Sequence, residues 1–251
     1  IQQLSQGQAV HELEMRCRCL TGTYVWIAWN AVPFLQEQLI YGAGRDISQR
    51  KASEARLVHE ALHDALTGLA NRPCFMERLA LAMSKCRRQG GYFAVLFIDL
   101  DGFKGINDTL GHGIGDQLLT QIAQLLQASV REVDAVARLG GDEFTILIEN
   151  IHALKDVVDV AERIQASLKP GFTISGHEVF TSASIGIVMG GQQYEQVANI
   201  IRDADIAMYR AKARGKACYE VFDQVMYAET LHQVEIETHL RYAISKQELA
   251  I

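Results

Sequence analysis

Residues Tyr92-Phe93-Ala94-Val95-Leu96-Phe97-Ile98 form a near-continuous apolar run that stops abruptly at Asp99-Leu100-Asp101. A run of strand length with no alternating polar residues belongs to a strand covered on both faces. The chain must therefore supply helices above and below a sheet. Helix-length segments at about 73–89, 114–130, 154–168 and 194–214 alternate with strand-length runs at 92–98, 135–139, 144–148, about 178–189 and Tyr219–Phe222. Their order, with a hairpin in the middle, predicts an α/β fold with a mixed central β-sheet flanked by helices. No internal repeat or low-complexity tract interrupts it.

The hairpin carries the second constraint. Gly140-Gly141 joins the two short apolar runs and suits a tight turn that needs positive φ. Asp142 and Glu143 follow at once, and adjacent acids repel unless a cation or water lies between them. One reading is an exposed Asp-Glu turn. The other takes account of Asp99 and Asp101, which alternation puts on one face if the strand continues that far. Carboxylates at a strand's carboxyl end face the crevice where ligands of α/β sheets bind. One carboxylate from the strand and one from the hairpin make a hard-oxygen site suited to Mg²⁺ or Mn²⁺.

Five ordered motifs resemble the GGDEF-domain diguanylate cyclases over about residues 62 to 224. They are Asp64-Ala65-Leu66-Thr67-Gly68-Leu69-Ala70-Asn71-Arg72, Asp99 through Asp108, Gly111 through Asp116, Gly140 through Phe144, and Ala204 through Lys212. The resemblance implies a palm-like fold, shared with nucleotide cyclases and polymerases. It implies condensation of two GTP into cyclic di-GMP with loss of two pyrophosphates, on a homodimer in which each protomer presents one nucleotide. Asp99 and Glu143, with the Leu100 carbonyl, are then the metal ligands. Asp142 is ligand or general base, and Asp142, Glu143 and Lys104 form the catalytic set.

The same resemblance assigns phosphate binding to Gly102, Phe103 and Lys104, whose loop can cradle oxygens with backbone N–H groups. Lys212 and Lys216, four apart near a helix end, would hold the outer phosphates. Asn107 and Asp116 would read guanine, with helix capping as their alternative role. Arg131 and Asp134 form R-x-x-D, in the family the place where cyclic di-GMP inhibits; a plain surface ion pair is the alternative. A regulatory module that binds GTP or cyclic di-GMP without turnover is the competing functional reading, and a cyclase making cyclic AMP or cyclic GMP a weaker third.

Composition excludes other classes. The 251 residues are 49% hydrophobic, enough for a proper core, and the net charge of −6 lacks the basic footprint of a nucleic-acid binder. No apolar run approaches a membrane span, and the opening residues lack a signal-peptide pattern. Five cysteines without metal-ligand spacing point to free thiols in a cytoplasmic protein.

The flanks read separately. Residues 1–46 suggest an acidic opening helix, then strands at Met15–Leu20, Tyr24–Trp29 and Gln38–Gly44, resembling the C-terminal half of a PAS sensor domain. Residues 47–65, with Leu57, Ala61 and Leu62 at helical spacing, suggest a signalling helix or short coiled coil before the domain at 66–224. Residues 225–251 read as an amphipathic helix. Leu240-Arg241-Tyr242-Ala243-Ile244 within it resembles the connector into an EAL phosphodiesterase domain.

Overall fold

The computed structural model describes residues 6–37 and 39–226. The chain divides into two compact units, Ile1–Ala61 and Leu62–Ile251. In the first, β1 (Val10–Arg18), β2 (Tyr24–Phe34) and β3 (Leu39–Asp46) form an antiparallel sheet in sequential order, followed by α1 (Ser48–Leu62). The strand count fits the PAS resemblance, but residues 10–14 are strand where an acidic helix was expected. The alternation Glu12-Leu13-Glu14-Met15-Arg16-Cys17 explains this, because a period of two defeats a helix whatever the acid content. Glu14 then lies where Arg50 and Lys51 of α1 pair with it. Helix α1 buries none of its residues within the described structure.

The second unit contains α2 (Arg72–Gln89), β4 (Tyr92–Asp101), α3 (Phe103–Leu110), α4 (His112–Ala128), β5 (Ala135–Gly140), β6 (Glu143–Ile151), α5 (Leu154–Leu168), β7 (Phe172–Ile174), β8 (His177–Val179), β9 (Ser182–Gly190), α6 (Val197–Ala213) and β10 (Tyr219–Val221). Its main sheet has the order β10-β9-β4-β6-β5, antiparallel except for the β10–β9 pair. The expected mixed sheet is therefore present, with β4 at its centre. Three local differences stand out. Helix α3 is an extra short helix before α4. The run expected at 178–189 is broken at Phe180-Thr181 into β8 and β9, and β7 pairs with β8 as a separate hairpin.

Alternation along β4 sorts its side chains into two layers. Ala94, Leu96, Ile98 and Leu100 join the core containing Leu118, Ile122 and Leu126 of α4 and Val157, Ala161 and Ile164 of α5. Phe93, Val95 and Phe97 join the core containing Phe75, Leu79 and Met83 of α2 and Ile200, Ala204 and Met208 of α6. Asp99 continues the second set, so its carboxylate emerges on the α2–α6 side. Helix α6 lies close on β9: a Cβ on Gly186 would stand 2.0 Å from the Ala204 carbonyl oxygen. That approach carries the end of α6, with Lys212, to the rim of β4.

Chain exit from the sheet is also defined. Asp223 accepts the Met226 N–H at 2.9 Å, capping a helical turn that begins at Gln224. The expected connector helix over residues 225–251 lies almost wholly outside the described residues.

Candidate active site

The site forms where β4 and the β5–β6 hairpin end together. Asp99 stands opposite Glu143 in the antiparallel register, and the Leu100 N–H donates to the Asp142 carbonyl at 3.3 Å. Side chains at such directly opposed positions are near neighbours. Three carboxylates expected from two motifs thus meet at one rim. Lys212 reaches Asp99 from α6 at 2.7 Å.

Electrostatics mark this cluster. Burial raises the Asp99 carboxyl above its ordinary value; the Asp142 and Asp101 charges add to the rise while Lys212 opposes it. Glu143 is raised by burial first, then by Asp205, Asp99 and Asp142, against Arg72. A dication would relieve this repulsion. Among the described residues no group of three His, Cys, Asp or Glu converges as a ready-made cage. Carboxylate oxygens are the kind of donor a hard dication such as Mg²⁺ takes, with the rest of its shell from water or phosphate.

Asp101 behaves differently. Its oxygens accept from the Ser182 and Ser184 hydroxyls at 2.7 and 2.8 Å and from the Ala217 N–H at 3.1 Å. Asp101 is thus an anchor holding the loop after α6 against the start of β9, although it shares the Asp99 face.

The phosphate-binding candidates lie at a helix start. Gly102, with φ of 78°, is the N-cap of α3 and leaves its first turn without a capping side chain. Phe103 and Lys104 open that helix, with the Phe103 ring in the core and Lys104 exposed. Free backbone N–H groups at a helix N-terminus attract anions. Lys212 and Lys216 flank the end of α6. Lys212 is in the last turn of α6, whereas Lys216 lies beyond its end with a φ of 66°.

Asn107 and Asp116 are not caps. Asn107 lies within α3, Asp116 lies in the second turn of α4, and the residue between the two helices is Gly111. Among the described residues the Asn107 Oδ1 is buried without a hydrogen-bond partner, which is costly and calls for a donor from elsewhere. Gly115 makes room for it: a Cβ there would stand 1.9 Å from that oxygen. Asp116 is exposed.

Comparison with known proteins follows the same residues. The family described as "Diguanylate cyclase, GGDEF domain" matches residues 61–218. The chain belongs to the GGDEF family. It is similar to the bifunctional diguanylate cyclase/cyclic di-GMP phosphodiesterase MucR of Pseudomonas aeruginosa, 41% identical over 195 residues, 78% of this chain and 28% of that protein. It is also similar to diguanylate cyclase TpbB of the same species, 43% identical over 163 residues, 64% of this chain and 38% of that protein. The solved GGDEF domain of TpbB superposes with a TM-score of 0.65 at 39% identity, covering 67% of this chain and 99% of that one. A crystal structure of the DgcB GGDEF domain from Caulobacter crescentus in complex with c-di-GMP has a TM-score of 0.60 at 27% identity, covering 64% and 93%. The chain spans about a third of the length of the curated relatives it matches.

In this GGDEF domain the R-x-x-D pair is set apart from the carboxylates. Asp134 precedes β5 and Gly140 ends it, a separation of about 20 Å along an extended strand. No Arg131–Asp134 ion pair forms among the described residues. Instead Asp134, 8% exposed, accepts the backbone N–H groups of Arg131 at 3.0 Å and Glu149 at 3.2 Å. The Arg131 side chain is exposed between two clefts, one lined by Arg78 and the other by Arg163. Neither arginine was singled out in the sequence, since each lies outside a motif. Arg72 and Asp205 were also missed as site residues. Both belong to quoted motifs, yet only folding brings α2 and α6 beside Glu143.

Proposed function

We propose that this chain condenses two GTP into cyclic di-GMP and two pyrophosphates. The observation that carries the reading is the register pairing of Asp99 with Glu143 beside Asp142, at the rim where Lys212 and the open start of α3 also arrive. Each 3′-oxygen forms a bond to the α-phosphorus of the other GTP while the bond to the pyrophosphate oxygen breaks. The two hydroxyl protons leave to a base, for which Asp142 is the candidate. Mg²⁺ or Mn²⁺, held by Asp99, Glu143 and the Leu100 carbonyl, would make the hydroxyl more acidic and offset phosphate charge. Lys104 and the α3 N-terminus bind phosphate, Lys212 and Lys216 take the outer phosphates, and Asn107 with Asp116 reads the guanine edge.

Each protomer holds one nucleotide, so turnover takes place across a homodimer. Arg131 binds product in the clefts it shares with Arg78 and Arg163, while Asp134 holds the turn that presents it. Among the described residues no helix is long and apolar enough to cross a membrane. All five cysteines are free.

The deciding experiment incubates the chain with Mg²⁺ and GTP, with the Asp142→Ala variant alongside, and follows nucleotides by anion-exchange chromatography. Cyclic di-GMP from the parent alone is the expected result. GTP that is bound but unconsumed, even after enforced dimerisation, would instead support a regulatory module. The alignment with a part of bifunctional MucR is what keeps that second reading in view.

A further inference from the structure

The Gly140–Gly141 turn has little to hold it. Their φ values are 146° and 53°, and a Cβ at either would meet nothing within 4 Å, so neither residue is packed against a neighbour. The turn nonetheless carries two adjacent carboxylates that repel each other. Among the described residues no hydrogen bond anchors either the Asp142 or the Glu143 side chain.

Arg138 grips the turn from beneath. Its Nε and one terminal nitrogen donate to the Gly141 carbonyl at 3.0 and 2.8 Å. The other terminal nitrogen donates to both Asp64 oxygens at 3.0 and 3.1 Å. The Arg138 N–H donates to the Ala70 carbonyl at 2.9 Å, and Ala70 forms a parallel bridge with Ala137. Asp64 is fixed in turn by the Thr67 hydroxyl at 2.6 Å and the Thr67 N–H at 2.9 Å. Its own N–H donates to the Leu69 carbonyl at 2.8 Å, and two residues earlier Leu62, the last of α1, accepts the Asn71 N–H at 3.0 Å.

The Arg138 and Asp64 side chains are 11% and 22% exposed, so water competes weakly for these bonds. Burial alone would raise the Asp64 carboxyl, but the Thr67 and Arg138 bonds outweigh it and hold it below its ordinary value. A planar guanidinium spans two acceptors in a fixed fork, which a lysine ammonium cannot.

We propose that Asp64 and Arg138 are positioning residues for the reaction, forming a clamp that sets the Gly140–Gly141 turn, and with it Asp142 and Glu143, relative to residues 62–71. Neither is among the residues assigned to the nucleotide or the metal. Movement of residues 62–64 passes to the carboxylates through Arg138. The clamp rests on the reading of Asp142 and Glu143 as the reacting carboxylates.

The test uses the full chain with Arg138→Lys, and with Thr67→Val as a milder variant that leaves the ion pair intact. Hydrogen exchange of the peptide spanning residues 140–144 is read beside melting temperature and steady-state kinetics with GTP and Mg²⁺. In Arg138→Lys, exchange in that peptide should rise about tenfold while the rest of the sheet keeps its protection. The kcat should fall about tenfold with KM changed less than about twofold, since the nucleotide contacts are untouched. Thr67→Val should shift both in the same direction by less. A lowered melting temperature with unchanged local exchange and unchanged kcat would overturn the clamp. If the parent makes no cyclic di-GMP, the functional reading has failed on its own, and the local exchange still decides whether the turn is held this way.

Discussion

Two acidic turns lie at opposite ends of β5, and they use their carboxylates in opposite ways. At Arg131–Asp134 the buried Asp134 spends both oxygens on backbone N–H groups. At Gly140–Glu143 the two acid side chains accept no hydrogen bond among the described residues, and an arginine two residues earlier holds the backbone instead. A satisfied carboxylate is scaffold; removing it exposes orphaned donors. A carboxylate left unsatisfied in a partly buried, repulsive cluster is available for chemistry. Asp64 and Asp101 fall on the scaffold side of this division, and Asp99 lies between, held by Lys212.

The contrast can be broken in five ways. The largest effect is expected from Asp142→Ala, which should cut cyclic di-GMP formation by about a thousandfold. It should change unfolding free energy by less than about 0.5 kcal/mol, because no native bond is lost. Denaturant titration beside the activity assay checks both, and a large loss of stability would place Asp142 with the scaffold. Gly115→Ala comes next. Its methyl would displace the Asn107 amide, raising KM for GTP about tenfold with a smaller change in kcat. Equal affinity for a GTP analogue in parent and variant would contradict Asn107 as a guanine contact.

Asp134→Ala should cost about 1–3 kcal/mol by leaving two backbone donors unpaired. Arg131→Ala should leave stability within about 0.5 kcal/mol but weaken inhibition by cyclic di-GMP, measured as a rise in its inhibitory concentration. Unchanged inhibition would remove Arg131 from a product site. The smallest effect concerns acid. Since the Asp64 carboxyl is lowered on folding, its contribution is present above the unfolded-state value, near the ordinary aspartate range, and is lost as pH falls through the folded value. Asp64→Asn should therefore narrow its stability gap from the parent as pH drops below about 4. Denaturation at several pH values tests this, and a gap independent of pH would deny the ion pair any part in it.

The fold class was legible because β4 and its neighbours are apolar without alternation. Such runs have one solution, a sheet buried on both faces, and helix α5 was bounded at 154–168 as expected. The opening helix was not legible as the strand it is, since acidity was weighed above the alternation in Glu12–Cys17. Helix α3 was missed because its eight residues, flanked by Gly102 and Gly111, look like loop until the core receives Phe103. The site divides the same way. Asp99, Asp142 and Glu143 were visible as acids interrupting apolar runs. Arg138 was not, because an arginine in a strand carries no mark of its partner 74 residues away.

Sequence by itself thus determined which residues are buried, where the chain turns, and which acids are out of place in an apolar setting, all matters of local pattern and hydration. Only the tertiary structure decided which of those acids are satisfied. Asp101 and Asp99 are two residues apart on one face of one strand, yet one is bound by two serine hydroxyls and an N–H and the other faces Glu143 and Lys212. That distinction depends on the register of β9 and β6 against β4 and on the close approach of α6. Such long-range pairings are set by the packing of the whole sheet, and no short stretch of the chain encodes them.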